Sequence, residues 1–219
     1  MTSVESSMHA YYAARALEYD GIYLKPERQA DLRAIEAWLP PLFAGASVLE
    51  VACGTGYWTQ FITPVADRVL AVDAAPETMA IAKSRVPQDK VRFEVGDAYE
   101  LPAHSEKFDA AFAGFWFSHV PKQRQQAFLA GLHALLRPGA RVVLLDNRYV
   151  EGSSSPISEQ DDNGNTYQTR KLADGSAHRV LKNFSAEQEL KALVAESGRD
   201  ARLKHWQYYW AFEYLVAPH

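Results

Sequence analysis

The chain has 219 residues, of which 47% are hydrophobic and 12% aromatic, a size and composition that suit one α/β domain with a sizeable core. A formal net charge of −4 excludes the broadly basic footprint of a nucleic-acid binder, and a single cysteine, Cys53, excludes a disulfide within the chain. No apolar run reaches the ~18 residues that span a bilayer. The first ten residues, MTSVESSMHA, also lack the basic start and apolar stretch of a secretory leader. A soluble cytoplasmic protein with no membrane partner is expected.

Residues 8–20 (MHAYYAARALEYD) predict an amphipathic helix carrying tyrosines, and residues 25–40 predict a second, broken at Pro40-Pro41. Strands and helices then alternate. SVLEVAC (47–53) reads as a buried strand and YWTQFITPVA (57–66) as the helix after it. RVLAVD (68–73) is a strand, and PETMAIAKSR (76–85) a helix with Pro76 at its start. VRFEVG (91–96) and KFDAAFAGFWF (107–117) are strands, 122–136 is a helix, and Pro138-Gly139 turns into the strand ARVVLLDN (140–147). Near-continuous apolar strands between helices imply a mostly parallel sheet covered on both faces.

The pattern changes after Asn147. EGSSSPISEQDDNGN (151–165) reads as a mobile polar loop, and TYQTRKL and AHRVLKNF flank a turn at 173–176, as in a hairpin. Ser185 is positioned to cap a helix of about thirteen residues ending at Gly198. Residues 201–217 predict two antiparallel strands at the sheet edge. The expected organisation is a single domain over 1–219, with lid helices in 1–45 and an insert at 148–184.

The first strand runs into Glu50-Val51-Ala52-Cys53-Gly54-Thr55-Gly56, a glycine turn at a carboxyl strand end, where open α/β sheets bind ligands. A dinucleotide fingerprint laid on this turn puts Ala52, Gly54 and Tyr57 at its three glycine positions, and Tyr57 is too large for the third. A P-loop fails because no Gly-Lys-Ser/Thr follows. A methyl-donor site uses more of the chain. Asp73 closes the second strand, where a carboxylate accepts ribose hydroxyls. Asp97, in Gly96-Asp97-Ala98, closes the third and suits an adenine amino group. Phe115-Trp116-Phe117 closes the fourth as an aromatic wall. The bland alternative for Asp73 and Asp97 is capping of turns. For Cys53 it is a small buried residue.

VLEVACGTGYW, AVDAAPETM, GDAYELP, FDAAFAGFWFSHV and LLRPGARVVLLD, in that order, resemble the successive motifs of class I S-adenosylmethionine-dependent methyltransferases over about residues 8–147. The resemblance implies a Rossmann-like seven-stranded sheet with its last strand antiparallel, S-adenosylmethionine as cofactor and S-adenosylhomocysteine as product. It implies a donor site lined by Glu50, Ala52, Gly54, Thr55, Gly56, Trp58, Asp73, Ala74, Met79, Gly96, Asp97, Ala98 and Phe115. The family's usual first glycine is Ala52 here. Tyr12, Arg15 and Tyr19 share one helical face and are similar to the lid helix of small-molecule members, where Arg15 would pair with the donor carboxylate and Tyr19 would bound the sulfonium. An aromatic packing stripe is the alternative.

YYAARALEYD, GTGYWT, FWFSHVP and TRKLADG…RVLKNF together resemble a bacterial phosphonate O-methyltransferase of phosphonate antibiotic biosynthesis. That resemblance places His119, Arg170 and Lys182 around the acceptor. An amino-terminal tyrosine of that family has no counterpart in register, Tyr23 lying a few residues away. The residues themselves suit an anion: an arginine fork for paired oxygens and a lysine point charge. His178 and Arg179 are lower-ranked neighbours. The expected reaction is in-line methyl transfer to a small anionic acceptor, a phosphonate or carboxylate oxygen that needs no general base. For an amine or phenol acceptor, His119 becomes the candidate base. N-methylation of a small metabolite and donor binding without turnover stay open as alternatives. No metal is expected, and a monomer or homodimer is.

Overall fold

A computed structural model describes residues 16–101, 106–172 and 175–218, with side chains from Asp20 onward. The first five strands are β1 (Ser47–Val51), β2 (Arg68–Asp73), β3 (Val91–Val95), β4 (Phe108–Gly114) and β5 (Leu136–Asn147). Three short strands follow, β6 (Glu159–Gln160), β7 (Thr166–Lys171) and β8 (Ala177–Leu181), and then β9 (Gly198–His205) and β10 (Tyr209–Val216). The main sheet has the order β3-β2-β1-β4-β5-β10-β9. Strands β1 to β5 pair in parallel, and β10 runs antiparallel to both its neighbours. The chain order reverses direction between β1 and β4, which opens a crevice at their carboxyl ends.

Among the described residues, five α-helices cover the sheet: α1 (Gln29–Trp38), α2 (Thr59–Ile62), α3 (Pro76–Arg85), α4 (Lys122–His133) and α5 (Glu187–Leu193). All five residues of β1 are buried because both sheet faces are covered. Val48 joins Leu32 and Ile35 of α1 in one core layer, while Leu49 and Val51 join Phe128, Leu129 and Leu132 of α4 in the other. Among the described residues, no helix is long and apolar enough to cross a membrane.

Strand β2 and helix α3 have the expected bounds, and several other elements differ. Helix α2 stops at Ile62 rather than 66; Pro64 has no N–H to continue it, and the Thr63 hydroxyl donates back to the Thr59 carbonyl at 2.8 Å. Helix α5 is half the expected length. It starts after Ala186 rather than Ser185, with the Glu189 carboxylate accepting the Ala186 N–H at 2.9 Å. Residues 16–23 form a 3-10 helix where the carboxyl end of the lid helix was expected, and most of that helix lies outside the described residues. The polar stretch 151–165 is not a structureless loop. It contributes β6, which pairs Glu159 with Tyr167 and turns the hairpin into a three-stranded sheet. Within the hairpin Arg170 lies opposite His178 and Tyr167 opposite Leu181. Strand alternation therefore puts Gln168, Arg170, Val180 and Lys182 on one face.

Candidate active site

The turn after β1 is left-handed at Ala52 (φ 56°), Gly54 (φ 55°) and Gly56 (φ 74°). A Cβ on Gly56 would lie 3.0 Å from the Ala82 Cβ, so glycine here also lets α3 pack against the turn. Asp73 pins the turn from the end of β2. Its Oδ2 accepts the Gly54 N–H at 2.8 Å, and its Oδ1 accepts the Ala75 N–H at 2.9 Å and the Thr78 hydroxyl at 3.1 Å. Glu50 is buried beneath, and its Oε2 has no hydrogen-bond partner among the described residues. Burial foremost, and then the Asp73 charge, push its pKa up to about 8. Cys53 is buried and its thiol is pushed up by burial, as expected of a packing residue.

The other donor-side positions fall around this turn. Trp58 is buried, with its ring centroid 6.0 Å from both Tyr23 and Phe115. Met79 is buried on α3 and Ala74 is half-buried between β2 and α3. The Gly96 N–H donates to the Asp73 carbonyl at 3.0 Å, and a Cβ there would meet Val72 at 3.1 Å. Asp97 accepts the Tyr99 N–H at 2.9 Å, which satisfies the turn-capping alternative, and Ala98 is half-buried beside it. Tyr57 fills the third-glycine position by stacking on Tyr23 at 3.5 Å and donating its hydroxyl to Glu36 at 2.5 Å. Tyr12 and Arg15 lie outside the described residues, as does the side chain of Tyr19.

Sequence reasoning missed one fastening of the amino-terminal segment. The Thr55 hydroxyl donates to Asp20 at 2.6 Å, Arg85 donates to the Thr55 carbonyl at 2.9 Å, and Arg85 and Asp20 form an ion pair. Residue 20 is thereby docked on the glycine turn. The available signal was a basic last turn on α3, which is common on surface helices.

A cavity of about 340 Å³ opens between the amino-terminal segment, the end of β4, the loop at 153–155 and the hairpin. Phe115 lines it with a left-handed backbone (φ 58°), which is strained for a bulky residue. His119, Arg170 and Lys182 all line this cavity. His119 follows β4 in a 3-10 turn and is buried, with Nδ1 at 2.5 Å from the Leu181 carbonyl. That contact makes Nδ1 the protonated nitrogen and Nε2 the basic one. Burial, then Lys182 and Arg170, hold its pKa well below the usual histidine value, so the ring is neutral at pH 7. The Lys182 ammonium donates to Ser118 Oγ at 2.6 Å and pairs with the buried Asp146 carboxylate at 2.8 Å. Arg170 donates to Gln168 at 2.9 Å. His178 bonds Ser176 at 2.8 Å, and Arg179 pairs with Glu159 at 2.7 Å; neither lines the cavity.

Lys25 and Arg28 also line it, and the sequence reading did not single them out. Both donate to the Ser153 carbonyl, Lys25 at 2.7 Å and Arg28 at 3.3 Å, and Arg28 also donates to Asn147 Oδ1 at 2.9 Å. The Lys25-Pro26-Glu27-Arg28 run reads locally as a solvated helix start, and only the tertiary fold turns it inward.

Residues 48–139 match the family described as a methyltransferase domain. DhpI is similar over nearly its whole length. Its SAH complex aligns with a TM-score of 0.81 and 28% identity, covering 99% of this chain and 98% of that one. Its SAM–HEP complex aligns with a TM-score of 0.79 and 30% identity, covering 97% of this chain and 99% of that one. The chain belongs to the S-adenosylmethionine-dependent methyltransferases. Demethylmenaquinone methyltransferase of Lactiplantibacillus plantarum is 31% identical over 112 residues, 48% of this chain and 46% of that protein. The chain spans about half the length of the curated relatives it matches. The family's cofactor is S-adenosylmethionine. The left-handed turn and the buried Glu50 oxygen without a partner fit such a group: the turn brings backbone close to a ligand, and the carboxyl waits beneath for a donor.

Proposed function

We propose that this methyltransferase acts on a small anionic acceptor, methylating an oxygen of a phosphonate or carboxylate. One observation carries the reading. In a chain of net charge −4, the acceptor cavity is lined by Lys25, Arg28, Arg170, Lys171 and Lys182, with no carboxylate among its described lining residues. Such a field concentrates a small anion and orients it.

Bound S-adenosylmethionine supplies an electrophilic methyl group. Residues Ala52 to Gly56, Glu50 and Asp73 would hold it, with Trp58, Ala74, Met79, Gly96, Asp97 and Ala98 around it. On the acceptor side, Arg170 offers a planar fork and Lys182 a point charge to the acid. Asp146 offsets part of the Lys182 charge, which keeps the oxygen nucleophilic. Neutral His119 accepts a hydrogen bond from an acidic hydroxyl through Nε2, so it fixes the orientation of a partly protonated acid. Phe115, shared by the aromatic cluster around Trp58 and the acceptor cavity, excludes water between the two sides.

The test is release of S-adenosylhomocysteine with panels of small phosphonates, carboxylates and amines. Acids are expected to turn over and amines not to. Arg170→Ala removes charge-assisted hydrogen bonds worth about 1.5–3 kcal/mol, which raises the acceptor KM roughly 10- to 150-fold. Turnover of amines alone, or an unchanged KM, rejects the anion pocket.

A further inference from the structure

Arg28 is a buried guanidinium, only 6% exposed, on the wall of the acceptor cavity. All its hydrogen-bond acceptors are neutral: Asn147 Oδ1 at 2.9 Å, Ser153 Oγ at 3.0 and 3.1 Å, and the Ser153 carbonyl at 3.3 Å. Its flanks are the Tyr208 and Tyr209 rings, at 5.3 and 5.6 Å from the guanidinium carbon to the centroids. The acids around it are committed elsewhere. Glu27 is exposed and takes the Ser153 hydroxyl, Asp31 takes the Tyr208 N–H, and Asp146 pairs with Lys182. Among the described residues, Arg28 makes no ion pair. A buried cation without a counter-charge is costly, so its place on a cavity wall points to an anion from outside the chain.

That anion is not accounted for by the acid that receives the methyl group. The hairpin cluster of Arg170 and Lys182, with His119 beside it, already supplies a fork, a point charge and a hydrogen-bond acceptor to one acid. A further cation on the same oxygens would withdraw electron density from the nucleophile and slow its attack. A second acidic group, remote from the reacting oxygen, uses the charge without that penalty, and its binding energy orients the reacting one. Lys25 stands beside Arg28 on the same wall. The field of Arg28 reaches the hairpin cluster, since it adds to the lowering of the Lys182 pKa.

We infer that the acceptor is a two-headed acid: one acidic group faces His119, Arg170 and Lys182 and is methylated, and a second, unreacting carboxylate or phosphonate is held by Arg28 with Lys25. This rests on the anionic-acceptor reading above and narrows it to small diacids.

A matched pair of probes tests it. 3-Phosphonopropionate and propylphosphonate have the same chain length and differ in a terminal carboxylate. Their affinities are measured by calorimetry with S-adenosylhomocysteine present, and their KM values by product release. The wild type is expected to favour the diacid at least 10-fold. In Arg28→Gln that ratio falls toward one, and Arg28→Lys restores part of it. If Arg28→Gln does not fold, Lys25→Gln is run through the same comparison and is expected to shrink the ratio several-fold. A tether that only holds the Ser153 loop would weaken both probes equally, and an unchanged ratio overturns the inference. Loss of S-adenosylhomocysteine affinity on Arg28→Gln, with the ratio kept, assigns Arg28 to the donor and also overturns it. Propylphosphonate bound as well as the diacid by wild type sinks the two-headed acid but leaves the anion pocket standing. If neither acid binds, both readings fall.

Discussion

Around the glycine turn, the backbone itself is shaped by left-handed angles and held by one carboxylate, Asp73, through bonds to Gly54 and Ala75. Around the acceptor cavity the lining groups are the ends of long side chains, Lys25 and Arg28 from the amino-terminal segment and Arg170 and Lys182 from the hairpin. The first construction needs a short run of residues with the right backbone preferences. The second needs the amino-terminal segment, the end of β5 and the hairpin to arrive together. A donor site of the first kind therefore tolerates many side chains, whereas an acceptor site of the second kind changes its specificity when any one stretch changes.

Breaking the acceptor side at Lys182 should give the largest effect. Lys182→Met leaves the buried Asp146 carboxylate without its counter-charge, so a stability loss of about 3–5 kcal/mol is expected in urea unfolding. The double variant Lys182→Met/Asp146→Leu removes both charges and should recover more than half of that loss. On the donor side, Asp73→Ala frees the Gly54 and Ala75 N–H groups as well as a carboxylate. Donor affinity is expected to fall by about 1.5–3 kcal/mol in calorimetry, with propylphosphonate affinity changed far less. Equal losses on both ligands would mean that the two sides are not separable.

A pH titration sharpens the contrast further. The folded protein holds His119 neutral, with its pKa well below that of an unfolded histidine, near 6.5. Below that value the unfolded chain takes up the proton and the folded one resists, so stability is complete above about pH 6.5 and declines as pH falls. The slope approaches about 1.4 kcal/mol per pH unit for one proton. His119→Gln should flatten the profile between pH 6.5 and 5. An identical profile would show that His119 titrates normally. Arg179→Ala should do least. Its pair with Glu159 is half exposed, with side-chain exposures of 42% and 50%, so a change under about 1 kcal/mol and an unaltered acceptor KM are expected.

The same contrast explains what the sequence made legible. The sheet, the bounds of β2 and α3, and the positions of Asp73 and Tyr57 follow from periodicity and from residue types at strand ends, which are local signals. That His119, Arg170 and Lys182 meet at one cavity was expected from the resemblance, and strand alternation brings Arg170 and Lys182 to one face although they lie far apart along it. Arg28 was not legible, because a charged residue at a proline-led helix start looks solvated until Ser153 and Asn147 fold over it. Arg85 and Asp20 were missed for a similar reason: 65 residues separate them. The short α2 and α5 show tertiary packing and a proline overriding a helical pattern that continued in sequence.

Ala52 carries a further consequence. An L-residue held at φ 56° costs about 1–2 kcal/mol relative to an ordinary conformation, and the turn keeps it because β1, Asp73 and α3 fix both its ends. The ligand-facing shape is thus imposed by the scaffold before any ligand contact is made. Most stabilising changes replace glycine; here Ala52→Gly should raise the melting temperature, while the freer turn it creates should bind the donor no better. Strain and preorganisation at this position are two descriptions of the same backbone angle.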